Sequence, residues 1–225
     1  MDTRIDLVIF DCDGVLIDSE GLSAEVLLGA LAKLGVVIDF DYICTNFMGR
    51  SFPTVARDIQ MTFDVDLPGD FEQQYRHELL AKFAQRLTPT KGVTDVLDGL
   101  TTRCCVATSS SPERVSNSLN IVDLARYFGP NVFTASQVAH GKPAPDLFLY
   151  TAEKMGVDPA HCLVIEDSLP GVEAALAAKM RIFRYTGGAH LAGRVLKHAD
   201  YVRSFEHWPD LRALVPSIFT PKSPV

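Results

Sequence analysis

The sequence lacks the features that mark a membrane-bound or secreted chain. No apolar run among its 225 residues approaches the ~18 residues that a membrane-spanning helix needs, and no basic, signal-like segment precedes the first apolar stretch. The five cysteines are odd in number and have no Cys-x-x-Cys spacing, which argues against a disulfide framework. We therefore expect a cytoplasmic protein with no membrane partner.

Basic residues are also outnumbered. The chain has 21 lysines and arginines against 28 aspartates and glutamates, a formal charge of −7 at pH 7. Such a surface repels nucleic acid on average, so we expect no nucleic-acid partner. We expect a monomer that acts on a small molecule. If that molecule carries a phosphate, its charge requires a local cation, for which a metal ion is the simplest source.

Four short apolar runs without helical periodicity predict buried strands. Each run is followed by a polar turn and a helical pattern, an alternation typical of βαβ units in a parallel sheet. The runs are residues 5–10, 104–107, 162–165 and 182–185. The sequence therefore predicts an α/β protein whose ligand site lies at the carboxyl ends of the strands.

A long segment interrupts this rhythm between the first and second runs. Its roughly ninety residues contain helical patterns, at 22–34, 53–63 and 71–83, and no convincing strand. That is too long for one right-handed crossover, so we infer an insertion. The predicted domains are a helical cap at 16–87 and a core made of 1–15 and 88–225.

Two carboxylates end the first predicted strand. Asp11 and Asp13 are two residues apart, so strand geometry would point both side chains to one side. Such a pair needs a cation between the groups or a proton on one of them. Both solutions serve phosphoryl transfer, because Mg²⁺ screens the phosphate while one carboxylate attacks and the other moves a proton. Taken alone, Asp-x-Asp-Gly is equally compatible with an ordinary turn.

A second acidic pair, Glu166 and Asp167, ends the predicted strand at 162–165. If the two strands are neighbours, four carboxylates would surround one ion. The alternative is an acid cluster at a helix N-terminus, which the abrupt end of the apolar run makes the weaker reading.

Two further segments offer groups that bind phosphate. The Thr-Ser-Ser-Ser at 108–111 follows a predicted strand and presents hydroxyls and backbone N–H groups at a helix start, although a serine-rich helix cap would look the same. Lys142 stands in a Gly-Lys-Pro loop that Pro143 and Pro145 make stiff. A lone lysine is usually a solvated surface charge, but its place in a rigid loop between a predicted strand and a helix favours a functional role.

Four segments together resemble the motifs of the haloacid dehalogenase superfamily. They are DCDGVLIDSE (11–20), TSSS (108–111), GKPAPD (141–146) and IEDSLPG (165–171), in the family's order and spacing. The likeness spans residues 7 to about 190. It implies a Rossmann-like α/β core with an inserted α-helical cap, in the subgroup of β-phosphoglucomutase, phosphoglycolate phosphatase and many sugar-phosphate phosphatases.

The resemblance also implies a reaction: Mg²⁺-dependent hydrolysis of a small phosphorylated metabolite through an aspartyl-phosphate. By position, Asp11 is the nucleophile, and Asp13 is the general acid and then the base, with its backbone carbonyl on Mg²⁺. The remaining family positions are Ser109, Ser110 and Lys142 for the phosphoryl group and Asp11, Asp13, Glu166 and Asp167 for the metal.

Substrate choice in this architecture belongs to the cap. Residues 48–51 are the expected cap loop over the site, with Gly49 and Arg50 facing the substrate and Glu20 on the hinge side. Arg50 either pairs with a carboxylate or second phosphate of the substrate, or is an ordinary surface arginine.

A cysteine-phosphatase mechanism is the first competing reading. Cys44 and Arg50 have the Cys-x5-Arg spacing of that class. The phosphate loop of such enzymes needs small residues whose amides can converge, whereas Phe47 and Met48 occupy this one. We therefore set this mechanism aside.

Two relatives of the predicted reaction also compete. A dehalogenase uses the same aspartate on carbon without a metal, and would not be expected to keep the full acidic set. A β-phosphoglucomutase needs a cap histidine and a cap arginine, where this chain has Ser23 and Phe52 by position. We predict a hydrolase and keep the mutase as the alternative.

Overall fold

A computed structural model of the chain describes residues 4–193 and 202–219. Within them, six parallel strands form one sheet in the order β3-β2-β1-β4-β5-β6. The strands are β1 (Leu7–Phe10), β2 (Arg103–Thr108), β3 (Val132–Thr134), β4 (Cys162–Glu166), β5 (Arg181–Tyr185) and β6 (Ser204–Phe205).

Strand β1 lies in the middle of the sheet and is buried along its whole length. This burial explains its continuous apolar sequence, since helices cover both faces of such sheets. The connections run outward from β1 in one direction and from β4 in the other, so the strand order reverses between these two neighbours. The crevice at such a reversal is where α/β sheets bind ligands.

Four helices follow β1 before the chain returns to the sheet at β2. They are α1 (Glu20–Ala32), α2 (Phe40–Asn46), α3 (Phe52–Phe63) and α4 (Phe71–Arg86). The core helices are α5 (Val93–Gly99), α6 (Pro112–Ile121), α7 (Ala125–Phe128), α8 (Asp146–Met155), α9 (Leu169–Ala177) and α10 (Asp210–Leu214). The predicted α/β fold with an inserted helical cap is confirmed, and the exact domain bounds stay a prediction.

Two of the core helices begin at a serine whose side chain caps the helix. Ser111 caps α6 and Ser168 caps α9, each accepting a hydrogen bond from a backbone N–H three residues later. Helix α9 begins at Leu169, directly after Ser168. In the described part of the chain, no helix has the length and apolar character needed to cross a bilayer.

The two connections between cap and core lie side by side. Ile17 bridges Pro89, and the Asp18 N–H donates to the Thr88 carbonyl at 3.0 Å. The Thr90 hydroxyl donates to the Val15 carbonyl at 2.6 Å, which joins the two connections through a side chain. Both connections are thereby fixed to one edge of the core.

Trp208 contacts the second of these connections through Thr90. Its indole N–H donates to the Thr90 hydroxyl at 2.9 Å. Its ring stacks on Tyr185 with centroids 4.7 Å apart and contacts Phe10 and Phe205. The side chain is fully buried, so it anchors the segment after β6 under the connections.

We expect Trp208→Ala to lower the free energy of unfolding by about 3–5 kcal/mol, because it removes the largest buried ring and leaves a cavity. Trp208→Phe keeps most of the stacking and should cost less. Urea denaturation followed by circular dichroism measures both changes. Val37→Ala, at a side chain that is 89% exposed, is the control and should change stability by no more than about 0.5 kcal/mol. Equal stability of Trp208→Ala and the wild type would contradict this role.

Candidate active site

The acidic residues of two neighbouring strands meet in the crevice. Phe10 pairs with Ile165, and the Asp11 N–H donates to the Ile165 carbonyl at 2.9 Å. This register places Asp11 beside Glu166 and Asp167. One carboxylate oxygen from each of the three lies within 4.8 Å of the others, and all three residues are buried.

Lys142 lies within this acidic group. Its Nζ donates to Asp11 Oδ1 at 2.6 Å, to Glu166 Oε1 at 2.8 Å and to the Ala107 carbonyl at 3.1 Å. Its side chain is 1% exposed and lies over the ring of Phe148. Burial alone would lower the pKa of Lys142, but Asp11 and Glu166 outweigh it and raise that pKa. Lys142 is therefore a charged, buried residue and not a surface lysine.

One lysine does not neutralise three buried carboxylates. Burial raises the pKa of Asp11 well above its ordinary value; Lys142 opposes this shift, and Glu166 and Asp167 add to it. The pKa of Asp167 is also raised well above its ordinary value by burial and by Glu166. The cluster is short of positive charge and rich in hard oxygen atoms, which is the environment that a divalent cation favours.

Asp167 is held by two contacts and lies close to the backbone of Gly14. Nε2 of His190 lies 3.0 Å from Asp167 Oδ2, and Nε of Arg184 donates to the Asp167 carbonyl at 2.9 Å. Gly14 has a φ of +76°, and a Cβ at that position would collide with the Asp167 carboxylate and His190. Glycine is therefore required where the chain turns after Asp13.

The Asp13 side chain does not join the acidic cluster. Its Oδ1 accepts hydrogen bonds from Ser19 and from Nη2 of Arg114, and its Oδ2 accepts one from Ser110, each at 2.6 Å. Burial by itself would raise the pKa of Asp13, but the Arg114 guanidinium and the two serine hydroxyls outweigh it and lower that pKa. The expectation of four carboxylate side chains around one ion is therefore wrong.

The reason for this error is local geometry. The strand β1 ends at Phe10, so the alternation of side chains in a strand no longer governs Asp13. The chain turns at Gly14 and brings Asp13 beside Ile17 instead. Only the backbone carbonyl of Asp13 stays a candidate ligand for the metal.

The serines after β2 divide their contacts. The Ser109 hydroxyl donates to the Gly49 carbonyl at 2.9 Å, which ties the cap loop to the core. Ser110 binds Asp13, whereas Ser111 caps α6. The serine-cap reading is thus right for Ser111, and the other two face the site.

A cavity of about 80 Å³ lies between cap and core above Asp11. The residues assigned to substrate from the sequence surround it together, apart from Lys142, which lies beneath Asp11. They are Glu20, Gly49, Arg50, Ser109 and Ser110. The cap also supplies an apolar wall of Leu27, Ile43, Phe47, Phe52, Val55 and Tyr75.

Arg50 stands at the edge of this cavity with 38% of its side chain exposed, and its Nη1 donates to Asp58 at 3.0 Å. The guanidinium is thus already paired within the cap. Cys44 lies inside helix α2, and Phe47 and Met48 after it form part of the cavity wall. This segment does not have the amide cradle of a cysteine phosphatase.

Several residues of the site were not predicted from the sequence. Arg114 carried a usable signal, since it lies three residues after the cap of a helix that starts at the site. Ser19 resembles an ordinary helix-start residue, and Ser23 was noted only as the residue at the position of the mutase histidine. His190 follows β5 in a glycine-rich loop whose position no periodicity reveals.

Glu20 provides a test of the electrostatics. Burial and the nearby charge of Asp13 raise its pKa from 4.5 to about 8. The unfolded chain ionises Glu20 above pH 4.5 while the folded chain keeps it neutral, so its contribution to stability is complete below 4.5 and is lost as the pH rises to about 8. Glu20→Gln should therefore gain stability over the wild type across this window, with a constant difference above it.

Urea midpoints measured between pH 4.5 and 9 in a chelator give this difference directly. Glu173→Gln, at an exposed position on α9, is the matched control. A difference between Glu20→Gln and wild type that stays flat from pH 4.5 to 8 would refute the raised pKa.

Comparison with known proteins identifies the family of this chain. The chain matches the family model of haloacid dehalogenase-like hydrolases over residues 5–179. It is 25% identical over 213 residues to 6-phosphogluconate phosphatase of Escherichia coli (strain K12), which covers 94% of this chain and 95% of the relative. It is 30% identical over 181 residues to the phosphorylated carbohydrates phosphatase of Thermotoga maritima, with 77% and 82% covered.

A solved structure of a relative has the same fold. A haloacid dehalogenase family hydrolase from Deinococcus radiodurans R1, with bound phosphate and sodium, superposes with a TM-score of 0.74 at 30% identity, covering 98% of this chain and 100% of that one.

Proposed function

We propose that this chain, which belongs to the haloacid dehalogenase-like hydrolase family, is a Mg²⁺-dependent phosphatase that cleaves a small phosphate monoester through a phosphorylated Asp11. The family and its phosphatase relatives make it an enzyme, a phosphoric monoester hydrolase. The observation that carries the proposal is the position of Asp11, between the cavity and the Lys142-containing acidic cluster. The relatives that act on 6-phosphogluconate and on phosphorylated carbohydrates support a sugar phosphate or related metabolite as substrate.

The residues present fit a divalent metal. Asp11, Asp167 and the backbone carbonyl of Asp13 would hold it. Glu166 completes the cluster, but its Oε1 binds Lys142 and its Oε2 accepts from the N–H and hydroxyl of Ser168. A bound Mg²⁺ would offset the charge of the carboxylates and of the incoming phosphate.

The chain's own groups divide the remaining work. An Asp11 oxygen attacks phosphorus, and the bond to the leaving oxygen breaks. Lys142, with the hydroxyls and N–H groups of Ser109 and Ser110, would stabilise the charge on the phosphoryl oxygens. Asp13, in its protonated form, gives its proton to the leaving oxygen. It then takes a proton from the water that attacks phosphorus, and the bond between phosphorus and Asp11 breaks to release inorganic phosphate. The hydrogen bonds that Asp13 makes in this structure favour its carboxylate form, which is the form needed for the second step.

Two positions favour hydrolysis over a mutase reaction. Ser23 stands where the mutase pattern has a histidine, and its hydroxyl is engaged by the Ser19 carbonyl and by Arg114. Phe52 stands where that pattern has an arginine, and it stacks on Tyr75 with centroids 5.0 Å apart. Ser23 is uncharged and already hydrogen-bonded, and Phe52 has no polar atom, so neither replaces the charged residue that the mutase pattern has at its position.

The experiment that tests this function is phosphate release from a panel of sugar phosphates, sugar-acid phosphates, phosphoglycolate and nucleotides. We expect release with Mg²⁺, loss of activity in EDTA and recovery when Mg²⁺ is restored in excess, because the acidic cluster repels phosphate without an ion. Full activity in the chelator would eliminate the metal role. Faster formation of glucose 6-phosphate than of inorganic phosphate, from β-glucose 1-phosphate with a bisphosphate primer, would identify a mutase instead.

Asp11→Asn should reduce turnover by at least about 1,000-fold with the fold intact, since the amide fills the same space but cannot attack phosphorus. Mass spectrometry of acid-quenched enzyme should find a phosphate on Asp11 in the wild type only. Asp66→Asn, at an exposed cap residue, is the control for the chemical change. Near wild-type turnover in Asp11→Asn would remove Asp11 from the mechanism.

A further inference from the structure

Arg114 links the core loop after β1 to the cap through one nitrogen atom. Its Nη2 donates to Asp13 Oδ1 at 2.6 Å and to the Ser23 hydroxyl at 2.9 Å. Asp13 belongs to the core, whereas Ser23 lies on cap helix α1. The residue itself stands on core helix α6. A shift of the cap relative to the core would therefore break one of the two hydrogen bonds.

The guanidinium has surroundings that a surface arginine would not have. Its carbon lies 5.4 Å from the ring centroid of Phe83, a fully buried residue of cap helix α4. Its Nε is buried and makes no hydrogen bond among the described residues. A buried N–H group without an acceptor is unfavourable. The hydrogen bonds that Nη2 donates to Asp13 and Ser23 are the contacts that offset this cost.

The neighbouring arginines are occupied differently. Arg50 pairs with Asp58 and Arg76 pairs with Glu72, both within the cap, and Arg76 also donates to the Ser111 hydroxyl of the core. Both line the cleft beside Arg114, but their carboxylate partners lie outside the site. Arg114 is thus the arginine of this cleft whose carboxylate partner is the proposed proton carrier.

We propose that Arg114 is a positioning residue, which orients the Asp13 carboxylate and makes that orientation depend on contact between the cap and the core through Ser23. The inference rests on the proposed role of Asp13 in the phosphatase reaction. The guanidinium is planar and its donors point in fixed directions, whereas a lysine ammonium is a point charge at the end of a flexible chain, so Lys is not an equivalent here.

A double-mutant cycle tests this role. Turnover of p-nitrophenyl phosphate is measured for the wild type, Arg114→Met, Asp13→Asn and the double variant. Methionine keeps the aliphatic contact with Phe83 and removes the donors. We expect Arg114→Met to lower kcat about 100-fold in the wild type, the size of a small misplacement of a catalytic group, and by less than about 3-fold when Asp13 is already replaced by asparagine.

Three further measurements separate positioning from other roles. Arg76→Met is the matched control, and its effect should be the same in the wild type and in the Asp13→Asn variant. Added guanidinium ion should restore part of the kcat of Arg114→Ala, whereas Arg114→Lys should stay impaired. Ser23→Ala should lower kcat with Arg114 present and have little further effect in the Arg114→Met variant.

Equal effects of Arg114→Met in both backgrounds would overturn the proposal and assign Arg114 to packing. A rise in KM for sugar phosphates with kcat unchanged would also overturn it, by making Arg114 a substrate-binding residue. These outcomes are distinct from failure of the phosphatase assignment, which would appear as normal turnover in Asp11→Asn whatever the cycle shows. Circular dichroism of each variant confirms that it has folded.

Discussion

The contact of Lys142 with Asp11 and Glu166 is the interaction on which the site depends. Two carboxylates that are almost wholly removed from water are held at 2.6 and 2.8 Å from one ammonium group. Removing one partner of such a set leaves an uncompensated buried charge, which is strongly destabilising. The crevice between β1 and β4 provides the geometry, because parallel pairing aligns the ends of these strands. The rest of the architecture holds this charge set together.

Two aspartates separated by a single residue have opposite environments. Burial raises the pKa of Asp11, and the neighbouring acids add to this rise, whereas Asp13 is also buried but Arg114 and two serine hydroxyls outweigh the burial and lower its pKa. Pairs of carboxyl groups whose pKa values are pushed apart are suited to different chemical roles. The strand ends at Phe10, and the turn at Gly14 directly after Asp13 places Asp13 beside Ile17.

The parts of the fold that sequence could predict are those with a strong local pattern. The apolar runs located β1, β2, β4 and β5, and the helical stripes located α1, α3 and α4. Strands β3 and β6 have three and two residues, and α2 has seven, too few for a periodicity to emerge. Similarly, the acidic cluster and Lys142 followed from strand ends and motif spacing. The contact of Arg114 with Asp13 did not, because Arg114 lies inside helix α6, in none of the four motifs and at no strand end.

The contacts between cap and core near Asp11 have a different character from those inside each part. They are single polar contacts, such as Ser109 with the Gly49 carbonyl and Arg114 with Ser23, whereas the linkers beside Trp208 are fixed by backbone pairing and aromatic packing. Individual hydrogen bonds of this kind contribute on the order of 1 kcal/mol each, so each of these contacts is weaker than the combined backbone pairing and aromatic packing of the linkers. We therefore infer that the cap wall governs the choice of substrate, whereas the core holds the groups of the proposed reaction.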